Sequence, residues 1–163
     1  MQERINPTRR RLLQATALGL AAFELKLSTA HAKPATPPVA RPSTTFSDIQ
    51  HIPAGELNVG YVDTGPRDAT PLLLLHCWPY DIHSFIDVAP KLAAAGFRVL
   101  IPHLRGYGST RFLSADTVRN AQQAALAVDA IAFLDAVKIK QAVIGGFDWG
   151  ARTANIVAAV WPE

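Results

Sequence analysis

One cysteine, Cys77, is the only thiol in this 163-residue chain, which excludes any internal disulfide framework. Histidine is absent from the last third: His31, His51, His76, His83 and His103 are the five, and none is spaced with a neighbour as metal ligands are. Metals and cofactors are therefore not expected. No uninterrupted run reaches the roughly 20 apolar residues of a membrane span. The nearest approach, ending about Leu27, is broken by Glu24 and Lys26. Basic surplus is also missing from most of the chain. Residues 1–32 carry Arg4, Arg9, Arg10, Arg11 and Lys26 against Glu3 and Glu24, a net +3 that equals the surplus of the whole sequence, so the rest is neutral. A nucleic-acid or anionic-membrane surface would need clustered Lys and Arg there. The expected partner is a small molecule, and the sequence sets no oligomeric state.

What is present begins with an address. Thr8-Arg9-Arg10-Arg11-Leu12-Leu13-Gln14 sets paired arginines before the apolar stretch, and Ala30-His31-Ala32 supplies small residues at cleavage spacing. Residues 1–32 read as a twin-arginine signal peptide, which implies export to the periplasm or beyond. Cargo of that route usually folds before crossing, which suits a single unpaired thiol. Residues 33–45, with Pro34, Pro37, Pro38 and Pro42, read as an extended linker. The folded domain is expected over 46–163.

From Phe46 short apolar runs alternate with longer helical periods, the pattern of an α/β protein with a mostly parallel sheet flanked by helices. Ile49 to Pro53 and Leu57 to Asp63 predict a hairpin turning at Ala54-Gly55. Pro71 to His76, containing four consecutive leucines, predicts a strand buried on both faces. A helix is expected from Ser84 to Ala95, ended by Gly96, then a strand from Arg98 to Pro102. A long helix is expected from Thr117 to Val137, capped by Ser114 or Asp116, with Ala124, Val128, Ile131 and Leu134 on its buried stripe. The strand Gln141 to Gly145 and a helix from Ala151 to Trp161, facing the sheet with Ile156, Val157 and Val160, complete about five strands. One sheet edge is left open.

Between that last strand and helix lies Gly146-Phe147-Asp148-Trp149-Gly150. Strand, sharp turn and helix meet at one carboxylate, and the flanking glycines suit a tight, strained turn. A serine there would need a base to remove its proton. An ordinary carboxylate, with a reference pKa of about 3.9, is already an anion at neutral pH and suits attack on a saturated electrophilic carbon. Asp is also a favoured helix N-cap, stabilised at an N-terminus without any chemistry. His76-Cys77-Trp78-Pro79 directly follows the four-leucine strand, where a loop can lend a backbone N–H to a developing oxyanion. Its plain alternative is a strand-ending turn with a structural His76 and Pro79. Arg105-Gly106-Tyr107-Gly108-Ser109 follows the next strand, and Arg105 is expected to tie loops together; His103 before it reads as a loop residue. Arg152 either orients a substrate carboxylate or pairs with a nearby acid. His51 and His83 show no partner pattern.

These three motifs, in this order, resemble the epoxide hydrolase and haloalkane dehalogenase branch of the α/β-hydrolase superfamily, over about Phe46 to Glu163. The resemblance implies an α/β-hydrolase fold, here its N-terminal half before a cap domain. It implies Asp148 as nucleophile forming an alkyl-enzyme ester. Backbone N–H groups of Trp78 and Trp149 would form the oxyanion hole, Trp149 and Arg152 would meet substrate, and the Trp78-Pro79 bond would be cis. His76, Pro79, Arg105, Gly146 and Gly150 would support the site. In the family the acid and the His base follow the nucleophile, and two tyrosines of the cap protonate an opening epoxide. Those groups would lie beyond Glu163, so this chain alone is expected to be inactive, with a non-catalytic fragment as the alternative. Two positions depart from the family: Cys77 stands where Gly is usual, crowding the loop if that position needs positive φ, and His103 stands where Asp is frequent. Dehalogenases often carry Asn where Trp78 stands, so epoxide hydrolysis is the expected activity. A haloalkane or haloacid dehalogenase, the latter using Arg152, is the alternative.

Overall fold

The computed structural model describes residues 46 and 48–162. The segment expected to be a twin-arginine signal peptide, residues 1–32, and the whole expected linker, residues 33–45, lie outside them. No helix among the described residues is long and apolar enough to cross a membrane.

Six strands form one mixed sheet: β1 (Gln50–Ala54), β2 (Leu57–Thr64), β3 (Thr70–Leu75), β4 (Phe97–Pro102), β5 (Arg111–Phe112) and β6 (Val143–Gly146). Their order is β1-β2-β4-β3-β6, with β5 paired to β2. β4, β3 and β6 run parallel, while β1, β2 and β5 add antiparallel pairings. The hairpin turns one residue later than the sequence suggests, at Gly55-Glu56, where Gly55 takes φ 55°. β5 is absent from the sequence reading because two residues carry no alternation to detect.

β3 accounts for the two-sided core. Leu73 and Leu75 join a cluster with Leu57, Leu100, Phe133 and Val157, while Leu72 and Leu74 join Val62, Ile82, Val99 and Ile101 on the opposite face. A continuous leucine run satisfies both faces at once.

Among the described residues three helices flank the sheet: α1 (Ala89–Ala94), α2 (Gln123–Ala136) and α3 (Trp149–Val160). The single helix expected over 84–95 is instead a 3₁₀ turn at Ile82–Phe85 followed by α1. Asp81 caps the 3₁₀ turn, accepting from the His83 N–H at 2.9 Å, and Pro90 then opens a separate helix, where its missing N–H does no harm. α2 starts at Gln123 rather than Thr117. The Ser114 hydroxyl accepts from the Asp116 N–H, and Asn120 accepts from Gln122 N–H through its side chain and from Arg105 through its carbonyl. These local bonds hold residues 114–122 as turns. The buried stripe of α2 is Leu126, Ala127, Ala130, Phe133 and Leu134, so Ala124 and Val128 face outward, contrary to expectation. On α3 the buried residues are Gly150, Thr153 and Val157, and Val160 is exposed.

Candidate functional site

β3 and β6 pair in register with Leu75 opposite Gly146, so both strands end at one level. The loop after β3 and the turn after β6 are thereby set side by side. Asp148 occupies that turn with φ 49° and ψ −113°, a region glycine enters freely and a residue with a side chain does not. It sits at the N-cap of α3, yet its carboxylate makes no capping hydrogen bond and its side chain is exposed. The bland reading of Asp148 as a helix cap therefore lacks its defining contact.

The flanking glycines act differently from the sequence expectation. Neither has positive φ; both are places of close approach. A Cβ on Gly150 would stand 2.0 Å from the Leu75 carbonyl oxygen, and one on Gly146 would stand 2.6 Å from the Gly150 carbonyl carbon. Bare backbone lets α3 start against the end of β3, and Asp148 itself carries the strained dihedral.

His76 is fully buried and tied at both ring nitrogens. Nε2 accepts from the Leu104 N–H at 3.1 Å, and Nδ1 lies 3.2 Å from the Cys77 carbonyl. An accepting Nε2 requires the neutral tautomer protonated at Nδ1. Burial lowers the His76 pKa, which agrees with that state. The ring joins the end of β3 to the end of β4 and steadies the loop between. Cys77 is buried and does not adopt positive φ, so its Cβ does not strain the loop. The Trp78-Pro79 bond is cis. Trp149 N–H opens α3, where helical N–H groups have no intrahelical acceptor, and Trp78 N–H takes no backbone acceptor among the described residues.

Arg105 ties three segments together. Its Nε and Nη2 donate to the two Asp129 oxygens at 2.6 Å each, Nη1 donates to the Asn120 carbonyl at 2.7 Å, and Glu56 lies 3.7 Å from Nη2. The side-chain pair with Asp129 of α2 was not visible in the sequence. His103 packs beneath Gly108, whose added Cβ would fall 2.2 Å from the imidazole, so Gly108 is fixed by that ring as well as by φ 48°. Burial lowers the His103 pKa to about 4, and its Nδ1 has no partner. His83, unpaired in the sequence reading, lies with Nδ1 3.0 Å from Asp81 Oδ1. Arg152 is exposed and forms no ion pair among the described residues, so the nearby acid proposed for it is not found. Among those residues no cluster of His, Cys, Asp or Glu is arranged to hold a metal.

Between the two motif loops lies a cavity of about 110 Å³ lined chiefly by Trp78, Leu104, Tyr107, Leu126 and Trp149. Leu104, Tyr107 and Leu126 escaped the sequence reading. Leu126 lies on a face of α2 other than the stripe expected from the sequence, and Tyr107 sits in a turn where the flanking glycines carry the local signal.

A family model described as alpha/beta hydrolase fold matches residues 70–163. A haloalkane dehalogenase of Psychrobacter cryohalolentis is 36% identical over 108 residues, covering 66% of this chain and 35% of its own length. Epoxide hydrolase B of Mycobacterium tuberculosis is 33% identical over 102 residues, covering 62% of this chain and 28% of the relative. The crystal structure of a putative epoxide hydrolase from Klebsiella pneumoniae superposes with a TM-score of 0.71 at 62% identity, covering 72% of this chain and 39% of that one. The chain thus spans about a third of the length of the relatives it matches. It belongs to the alpha/beta hydrolase fold family, with relatives named epoxide hydrolases and haloalkane dehalogenases.

Proposed function

We propose that Asp148 is the nucleophile of a hydrolase that acts on a saturated carbon, with epoxides as the substrate class. The observation that carries this reading is the positive φ of an uncapped, exposed Asp148 held between two glycines that tolerate no Cβ. Strain of this kind is found where a site requires it. A carboxylate oxygen attacks one ring carbon, and the ring C–O bond breaks with its electrons passing to oxygen, which takes up a proton. The product is a hydroxyalkyl ester of Asp148. Water then adds to the ester carbonyl, and the N–H groups of Trp78 and Trp149 stabilise the oxyanion that forms. Loss of one such donor typically slows this type of step by about 10²- to 10³-fold. Collapse releases the diol and restores the carboxylate.

His76 does not supply the base for the second step, because its Nε2 is occupied by the Leu104 N–H. His103 is buried beneath Gly108. Neither of these two buried histidines is assigned as base, and an ester on Asp148 is the expected product of the first step. The alternative substrate class is a haloalkane, favoured by the 36% identical dehalogenase. A haloacid is less well supported, since Arg152 is exposed and is not among the residues lining the cavity beside the turn. Exposure of the chain to 1,2-epoxybutane and to 1-bromobutane in parallel tests the reading. Epoxide hydrolase chemistry gives an adduct with the full epoxide mass and little bromide release. Bromide release stoichiometric with Asp148, and no epoxide adduct, would replace it with the dehalogenase reading.

A further inference from the structure

We propose that His103 is an acid-sensitive wedge: neutral, it seats the turn at residues 106–109 against the fold, and on protonation it releases that turn while the strands stay in place. His103 is one of the two departures from the pattern this chain resembles, and the chemistry of Asp148 gives it no task. Its imidazole is buried at the end of β4, directly under Gly108, where a Cβ would overlap the ring. Gly106 and Gly108 are exposed and both take positive φ, so one turn of backbone separates the ring from solvent. Both ends of that turn are pinned. Arg105 is bonded to Asp129, and Thr110 accepts from the Gly60 N–H at 3.0 Å and donates to the His103 carbonyl at 2.8 Å. Between the pinned ends, two N–H groups close the turn: Tyr107 to the Leu104 carbonyl at 3.0 Å and Thr110 to the Tyr107 carbonyl at 3.1 Å. Two buried side-chain atoms lack a hydrogen-bond partner among the described residues, His103 Nδ1 and Ser109 Oγ, and both belong to this segment. The closed turn thus forgoes hydrogen bonds that opening to water would restore.

The charged and titratable groups around the ring are His76 at the end of β3, His51 of β1, and Asp81 and His83 of the segment before α1. His76 stands edge-on at 6.3 Å between centroids. Asp81 is the one anion of the four, and it already accepts from the His83 N–H at 2.9 Å and lies 3.0 Å from His83 Nδ1. An imidazolium at His103 would therefore be buried among histidines with no carboxylate in contact. Burial is the largest cause that lowers the ring to about 4, the histidines add to it, and Asp81 opposes them. Released to water, the ring returns to its ordinary value of about 6.5. Protonation then favours the open turn. The closed turn keeps its full advantage above about pH 6.5 and loses up to roughly 300-fold of it as the pH falls through about 4. Tyr107 moves with the turn. Its ring packs edge-on against His76 at 4.8 Å and lines the cavity beside Trp78 and Trp149, so acid would disturb the surroundings of Asp148, a consequence that rests on the reading of Asp148 above.

Amide hydrogen exchange resolved by residue tests this directly, with each rate divided by its intrinsic value at the same pH. From about pH 7 to about pH 5 the protection of the Tyr107 and Thr110 N–H groups should fall about twentyfold. The amides of Leu100 and Ile101, buried in β4, should hold their protection over the same range. His103→Gln, which cannot titrate, should make the protection of Tyr107 and Thr110 independent of pH. Should that variant fail to fold, His103→Phe replaces it, and the contrast between turn and strand in the parent chain needs no variant at all. Constant protection of the turn, a loss shared equally by Leu100 and Ile101, or the same fall in a folded His103 variant would overturn the wedge. The readout involves no substrate, so an Asp148 that fails to react with an epoxide would leave each of these outcomes as it stands.

Discussion

At the scale of single residues, strain and close approach shape the turn that carries Asp148. Asp148 in its positive-φ turn carries a backbone cost on the order of 1–3 kcal/mol. Asp148→Gly should therefore stabilise the chain by about 1 kcal/mol in urea titration while abolishing alkylation, a gain in stability with loss of chemistry. A loss of stability would show the dihedral to be unstrained. Gly150→Ala should cost about 3 kcal/mol, since its Cβ meets the Leu75 carbonyl at 2.0 Å. Gly96→Ala, at φ 89° with open space around it, should cost only about 1 kcal/mol. The position of Asp148 between strand and helix was legible in its sequence because five consecutive residues hold the signal. The work of its glycines was not, because close approach to Leu75 involves a strand more than seventy residues earlier.

At the scale of elements, Arg105 joins the loop after β4 to α2. Arg105→Ala leaves the half-buried Asp129 without its partner and should cost about 3 kcal/mol, with Arg105→Lys recovering only part because one ammonium cannot match two carboxylate oxygens. Equal stability of the Lys variant would contradict the bidentate pairing. The histidines give a pH signature. Folding lowers His103 from about 6.5 to about 4 and lowers His76 as well, so protonation favours the unfolded chain. Their contribution is complete above about pH 6.5 and is lost as pH falls toward 4. His103→Phe should flatten the fall of melting temperature across that window; a slope unchanged from wild type would remove His103 from the cause. The strands were readable from apolar runs, as at Leu72 to Leu75. The start of α2 was not, because Asn120 and Ser114 divert the backbone into turns through contacts that include Arg105, and a helix period alone does not reveal competing bonds.

At the scale of the whole molecule, β6 stands at one end of the strand order with a single paired neighbour among the described residues. Beside it a groove of about 720 Å³ runs between α2 and α3, lined by Ile131, Leu134, Ile144 and Val157, and Val143 and Val160 are exposed nearby. An unpaired parallel edge with apolar flanks promotes association. Sedimentation of the purified chain should show self-association that rises with concentration; a monomer throughout the range would contradict this. The fold class followed from the alternation of strands and helices, whereas the antiparallel half of the sheet depends on which strands become neighbours, a relation no local period records.

The central claim is that Asp148 attacks carbon, and the most direct measurement is intact mass with peptide mapping after exposure to 1,2-epoxybutane. The account predicts one added epoxide mass per chain, located on Asp148 and absent from Asp148→Asn. An unlabelled Asp148, or equal labelling of the Asn variant, would contradict it.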